Sequence, residues 1–232
     1  MKKIKIFTLI LILSSRVHAL SPYSALYDLY ADTNMGNFKI GIAEFSLKTD
    51  DENYIYTSQA STKSMWSALY KFSRYEQSIG INSYNELVSK KYMVTEILGD
   101  NDKKNITIDF FPEKNYATYN NNEKWKISPG NLVDELSVYL ALSQDVKNNL
   151  DAKEFIYQVG SEEKVKFQTF NINGKGKITI GDEIIDTILV NCPELNLTLN
   201  LSENHNYLPV LIEKINKKNN FRIVLNSIEF KT

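Results

Sequence analysis

The sequence predicts a mostly β domain: a single antiparallel meander of about 10–12 strands, curled into a barrel or half-barrel, with one covering α-helix near residues 131–143. Three observations predict it. Apolar and polar residues alternate with period two from end to end, as half-buried strands require. Clusters of Asn, Asp and Gly, which tolerate the positive φ of tight hairpins, separate the alternating runs. The 232 residues are 43% hydrophobic and 24% charged, a globular composition rather than a disordered or fibrous one. A sheet of that length must curl, close or fold over itself to manage its edges.

The chain opens with a three-part pattern. Met1–Lys5 is basic, Ile6–Leu13 is an unbroken run dominated by Ile and Leu, and Val17-His18-Ala19 ends in a small residue. This is the form of a secretory signal peptide cut after Ala19. Eight apolar residues fall far short of the roughly 20 a membrane-spanning helix needs. The expectation is therefore a signal over residues 1–19, a single β-rich domain over 20–232 without a transmembrane helix, and a periplasmic address.

In the first long strand the apolar phase slips: Phe38, Ile40 and Ile42 share one parity, Ala43, Phe45 and Leu47 the other. One extra residue near Gly41–Ala43 would do this, which predicts a β-bulge. After the Asp50–Asn53 turn, Tyr54 and Tyr56 alternate with Ile55 and Thr57. Met65–Tyr70 reads as a short helical turn before a Phe72–Ile81 strand. Ile106, Ile108 and Phe110 mark another strand, between turns at Gly99–Asp102 and Asn120–Asn122.

Ser128-Pro129-Gly130-Asn131 is a helix start, with Asn131 as cap and Asp134-Glu135 in the first turn. Leu132, Leu136, Tyr139 and Leu140 then recur at helical spacing, predicting a helix over Leu132–Ser143 that continues toward Asn148. Strands are expected at Phe155–Val159, Val165–Ile172, Ile178–Ile180, Ile184–Val190, Leu195–Leu201, Val210–Ile215 and Phe221–Phe230. Turns at Asn173–Gly176, Gly181-Asp182 and Lys217–Asn220 separate them. No linker or internal repeat divides the chain.

In Asp134-Glu135-Leu136-Ser137-Val138-Tyr139-Leu140 the sequence resembles an exported bacterial family known as domain of unknown function 3108. That family often carries Asp-Pro-Leu-Ser followed by an aromatic residue and a leucine; Glu135 here stands in place of the proline. Leu199–Ser202 followed by Leu208-Pro209-Val210 is similar to the family's strand, turn and Leu-Pro-Val segment, with Leu199 where tryptophan is common. Tyr27, Gly36 and Gly41 are similar to its opening strands. The resemblance implies an exported β-rich envelope protein of a Gram-negative bacterium. It brings no established activity and no catalytic residue.

The residues themselves narrow the chemistry. Removing Lys2, Lys3, Lys5 and Arg16 with the signal leaves a mildly acidic chain, without the basic footprint of a nucleic-acid binder. His205 is then the last histidine, set among turn-forming residues, and reads as a solvated loop side chain. Cys192, the single cysteine, ends an apolar run before Pro193 and reads as buried and inert. One His and one Cys cannot build a zinc tetrad. Asn173–Lys177 lacks the spacing of a phosphate loop and reads as a hairpin turn. Catalytic residues, metal ligands and cofactors are all predicted to be none.

What remains is apolar surface in a curved sheet. The first expectation is a non-catalytic binding module for a lipid-like or other apolar envelope ligand, held under the helix by Trp66, Leu69, Tyr70, Leu136, Tyr139 and Leu140. The alternative is an envelope scaffold that binds another protein through a sheet edge or loops. An outer-membrane β-barrel ranks third, because charges interrupt several strands and the chain ends in Lys231-Thr232. A filled interior with a long uncovered edge favours the scaffold; an open apolar cavity favours the ligand.

Overall fold

The computed structural model describes residues 20–33, 36–50, 52–63, 65–69, 71–83, 86–100, 102–215 and 220–231, so the signal expectation and most of the Lys217–Asn220 turn lie outside the described residues. The alternation folds into one fifteen-stranded sheet. In chain order it comprises β1 (Tyr23–Thr33), β2 (Gly36–Asp50), β3 (Asn53–Thr62), helix α1 (Met65–Leu69), β4 (Phe72–Ser83) and β5 (Glu86–Leu98). Then come β6 (Asp102–Phe111), β7 (Tyr116–Tyr119), β8 (Glu123–Lys126), β9 (Leu132–Asp134), helix α2 (Val138–Asn148) and β10 (Glu154–Gly160). The chain finishes with β11 (Val165–Ile180), β12 (Glu183–Cys192), β13 (Leu197–Ser202), β14 (Leu208–Ile215) and β15 (Asn220–Phe230). Three more strands appear than the upper expectation, because β7, β8 and β9 are too short to show a period in the sequence.

The spatial order runs from β8 down to β1, then from β15 down to β9. Two meandering wings therefore join where the first strand pairs with the last, Tyr23 opposite Phe230. Every pairing is antiparallel except β9 with β10. The ladder does not close, and β8 and β9 are its ends.

Bulges coil the sheet. Leu29 pairs with Gly41 and Tyr30 with Lys39, so Ile40 is the extra residue that the phase slip predicts, one position before the expected stretch. A Cβ on Gly41 would lie 2.2 Å from the Ser61 carbonyl oxygen, which excludes any larger residue there. In β5 the extra residue is Lys90, between the Ile79–Lys91 and Gly80–Ser89 pairs. It changes the parity of the strand, and Ser89 and Tyr92 both become buried.

Away from the β1–β15 ladder, side chains bring the wings together. Phe110 of β6 fills the space over Gly160 of β10, where a Cβ would come within 2.5 Å of the ring. The Gln158 amide brackets Ser128, accepting from its N–H at 2.7 Å and donating to its carbonyl at 2.6 Å. That pair links the β8–β9 connection to β10 where no ladder exists. Helix α2 is buried on nearly every side, through Val138, Leu140, Ala141, Leu142, Ser143, Gln144 and Val146, and fills the end of the rolled sheet beside Tyr23 and Leu47.

Three local expectations need correction. Leu132-Val133-Asp134 is not the first turn of the helix but strand β9, because Asp134 caps the following backbone and helical geometry begins only at Val138. Asn173–Gly176 is not a hairpin turn. Val165–Ile180 is one continuous strand with Asn173 as a bulge, and Gly174 absorbs it at φ +101°. Leu195 lies outside its strand, in a Pro193-Glu194-Leu195-Asn196 turn closed by Asn196 in the left-handed region. The same Pro-Glu-x-Asn pattern builds the Pro112–Asn115 turn.

Candidate functional site

The motif at Asp134 resolves into a buried polar clip. The Asp134 side chain is fully buried, and Oδ1 accepts the backbone N–H groups of Leu136 (3.0 Å) and Ser137 (2.8 Å). Oδ2 accepts the hydroxyls of Ser78 on β4 (2.5 Å) and Ser89 on β5 (2.7 Å). Ser137 Oγ accepts the Asp134 N–H at 3.0 Å and lies 2.8 Å from Ser89 Oγ, and Tyr54 approaches both sheet serines at 3.2 and 3.3 Å. Since both sheet serines spend their protons on Asp134, Tyr54 must donate into the set. Burial raises the Asp134 carboxyl above its ordinary value against the pull of these donors. The set holds a tyrosine, three serines and one carboxylate without a histidine, and every member is buried. Its work is to tie β9 and the start of α2 to β4 and β5.

Next to the clip the chemistry becomes charged. Arg74 of β4 holds three carboxylates: Glu96 and Glu162 at 2.8 Å and Glu76 at 3.1 Å. Lys104 of β6 also binds Glu162, and Tyr92 donates to Glu76. Glu162 lies in the β10–β11 turn, so this cluster is a second latch between the wings. The N–H of Glu135 donates to the Gly160 carbonyl at 3.2 Å, and its carboxyl feels the charges of the same cluster. Burial first, then the charge of Glu76, pushes its carboxyl up to about 7, with Arg74 opposing. Four acidic groups thus meet two basic ones on the inward side of a sheet whose interior was expected to be greasy.

The predicted ligand residues fall at two ends of the molecule. Trp66 sits on α1, its ring 5.6 Å from that of Phe38, at the Thr33–Gly36 end of β1 and β2. Leu136 and Leu140 are buried and Tyr139 half-buried at the α2 end, where Tyr23 and Leu47 pair. The Leu69 side chain and Tyr70 lie outside the described residues. A half-open cavity of about 50 Å³ at the α2 end is lined by Leu140 but by none of the other five. Cys192 is buried, which pushes its thiol up to about 11, and His205 contacts Ser202 Oγ at 3.1 Å in a turn.

Sequence reasoning missed two features. Arg74 and Glu76 occupy the same parity as the buried Ser78 and Gly80, and that phase was the available signal. The other is a protruding ribbon. Beyond Ile172, β11 has β12 on one side and, among the described residues, no strand on the other. Glu183–Thr187 of β12 likewise pairs only with β11, because β13 begins opposite Ile188. Ile184, at 71% exposed, stands on this ribbon.

A family model described as Protein of unknown function (DUF3108) matches residues 26–226. No curated protein sequence matches the chain. Among solved structures, a beta-barrel-like protein of domain of unknown function DUF1849 from Brucella abortus is similar with a TM-score of 0.61 and 10% identity, over 92% of this chain and 99% of that one. At that identity the likeness concerns the fold alone. Among the described residues, no helix is long and apolar enough to cross a membrane, and no group of His, Cys, Asp or Glu has the arrangement of a metal site.

Proposed function

This chain belongs to the DUF3108 family of proteins of unknown function, and from its architecture we propose that it is an exported, non-catalytic periplasmic scaffold that docks an extended segment of another envelope protein along its β11–β12 ribbon. The observation that carries this reading is the open edge Gly174–Ile180: seven consecutive strand residues that, among the described residues, pair with β12 on one side only. Unpaired N–H and C=O groups on such an edge accept a further strand, and exposed apolar side chains such as Ile184 add specificity. Other one-sided stretches among the described residues are shorter: Leu225–Phe230 of β15 pairs only with β1, Asp102–Ile106 of β6 only with β5, and the end strands β8 and β9 have four and three residues.

The lipid-like ligand has weaker support. A pocket for a drug-sized or acyl ligand needs roughly 300–1,000 Å³, against about 50 Å³ at the α2 end. The tyrosines, the clip and the ion cluster fill the space an acyl chain would take.

Photo-crosslinking in cells tests the scaffold. A crosslinking residue at Lys175 gives one discrete adduct with an envelope protein, and Ile184→Lys abolishes it while leaving the melting temperature unchanged. Absence of a discrete adduct, or an adduct indifferent to Ile184→Lys, refutes ribbon docking. Lipid co-purifying in native mass spectra and raising the melting temperature would favour the ligand reading instead.

A further inference from the structure

Beside the last two turns of α2 the core is incomplete. The half-open cavity there is walled by Leu20, Ser21, Gln144, Lys147, Asn148 and Asn206, among others. Gln144 is 6% exposed. Its Nε2 donates to Asn82 Oδ1 at 3.2 Å, but its Oε1 receives no donor among the described residues. A buried acceptor in that state calls for a partner. The site also lies at the C-terminal end of α2, where the last carbonyls lack intrahelical donors and the helix dipole favours a cation. Lys147, an exposed side chain, is the one charged residue among those lining the cavity, and no carboxylate is among them.

Leu20 and Ser21 are the first residues after the expected signal cleavage. Hydrolysis of the Ala19–Leu20 bond consumes one water, leaves a carboxylate on Ala19, and gives Leu20 an amine that takes up a proton near neutral pH. One amide donor thereby becomes three. The Leu20 side chain already packs against the core, and Lys231 N–H donates to the Pro22 carbonyl at 2.8 Å, fixing the segment in place.

We propose that this cavity is the seat of the mature N-terminus: the Leu20 α-ammonium binds there, donating to Gln144 Oε1 and to the open carbonyls ending α2. Signal removal then completes the core at this end. The inference rests on cleavage after Ala19 and is independent of ribbon docking.

The test uses the exported protein and a version with one alanine before Leu20. Intact mass of the exported protein should show Leu20 as its first residue; another start overturns the proposal. The Leu20 amine should acylate about tenfold more slowly than in a peptide of Leu20–Ser24, the ratio that a 1.4 kcal/mol preference gives. The alanine extension should lower the melting temperature by about 2–4 °C, and Gln144→Leu should erase that difference. Gln144→Glu, which keeps an acceptor and adds charge, should widen it and serves if Gln144→Leu does not fold. An amine as reactive as the peptide's, or an extension without effect on melting, refutes the seat.

Discussion

Truncating Asp134 to alanine should do more harm than its single charge suggests. The carboxylate accepts four hydrogen bonds of 2.5–3.0 Å. In Asp134→Ala the Ser78 and Ser89 hydroxyls can turn toward Ser137 and Tyr54, so part of their loss is recovered. The N–H groups of Leu136 and Ser137 have no such substitute, and each buried orphan costs about 1–3 kcal/mol. Relief of the buried charge offsets some of this, leaving a net loss of about 3–5 kcal/mol, as for other broken buried polar sets. That corresponds to a fall in Tm of roughly 6–20 °C for a chain of this size. Asp134→Asn keeps an oxygen for the two backbone donors and offers an amide to the serine oxygens, so its loss should be about half. Calorimetry and urea unfolding at neutral pH measure both, and a cycle with Ser78→Ala should show coupling of about 1–3 kcal/mol. If Asp134→Asn proves more stable than the parent, desolvation outweighs the hydrogen bonds and the clip argument fails.

Glu135 titrates in the opposite sense to a salt-bridged carboxylate. Its folded value of about 7 lies above the ordinary 4.5, so its contribution to stability is complete below about pH 4.5 and lost as pH rises through 7. Glu135→Gln should therefore flatten the fall in stability between pH 5 and 8 by up to about 3 kcal/mol; urea midpoints that fall equally in both proteins would refute the shift. Gly160→Ala places a methyl against the buried Phe110 ring and should cost about 1–3 kcal/mol, and Phe110→Leu in the same chain should recover most of it in thermal melts. Arg74→Met removes one of the two cations that hold the Glu162 carboxyl below its ordinary value against burial, so part of its destabilisation should disappear as Glu162 is protonated in acid, read from unfolding curves across pH.

How much of this was legible depends on the length scale of each signal. Long half-buried strands announce themselves: the bulge at Ile40 shows as a phase slip because four strand residues before it and ten after it hold the period. Strands of three or four residues cannot show one, and β9 was absorbed into the helix because Leu132 and Leu136 happen to share helical spacing. Gly174 misled for another reason. Glycine permits positive φ equally in a turn and in a bulge, and only the pairing of Lys175 with Ile188 distinguishes the two. The candidate ligand residues were chosen as an apolar stripe, yet the chain places Trp66 and Leu140 at opposite ends of the same strands. The charged latch was hidden because Arg74 gains its carboxylates from 2, 22 and 88 residues away.

Several of the residues through which this chain resembles its family sit at junctions. Asp134, Leu136 and Ser137 form the clip or lie beside it. Tyr27 donates to the Pro209 carbonyl at 2.8 Å, so the opening strand grips the Leu-Pro-Val segment directly. That segment is itself bulged: Val210 is the extra residue between the Asn200–Leu211 and Leu201–Pro209 pairs, a position where proline's missing N–H is tolerated. Gly41 admits the Ser61 carbonyl. None of these groups faces an open pocket wide enough for chemistry on a ligand, and each is costly to replace because it joins elements far apart in the chain. Such a motif transmits an architecture, a sheet rolled on itself and latched by side chains. The latches lie away from the paired ends of β11 and β12, so substitutions on the ribbon should leave the rest of the fold standing, which thermal melts of ribbon variants would check.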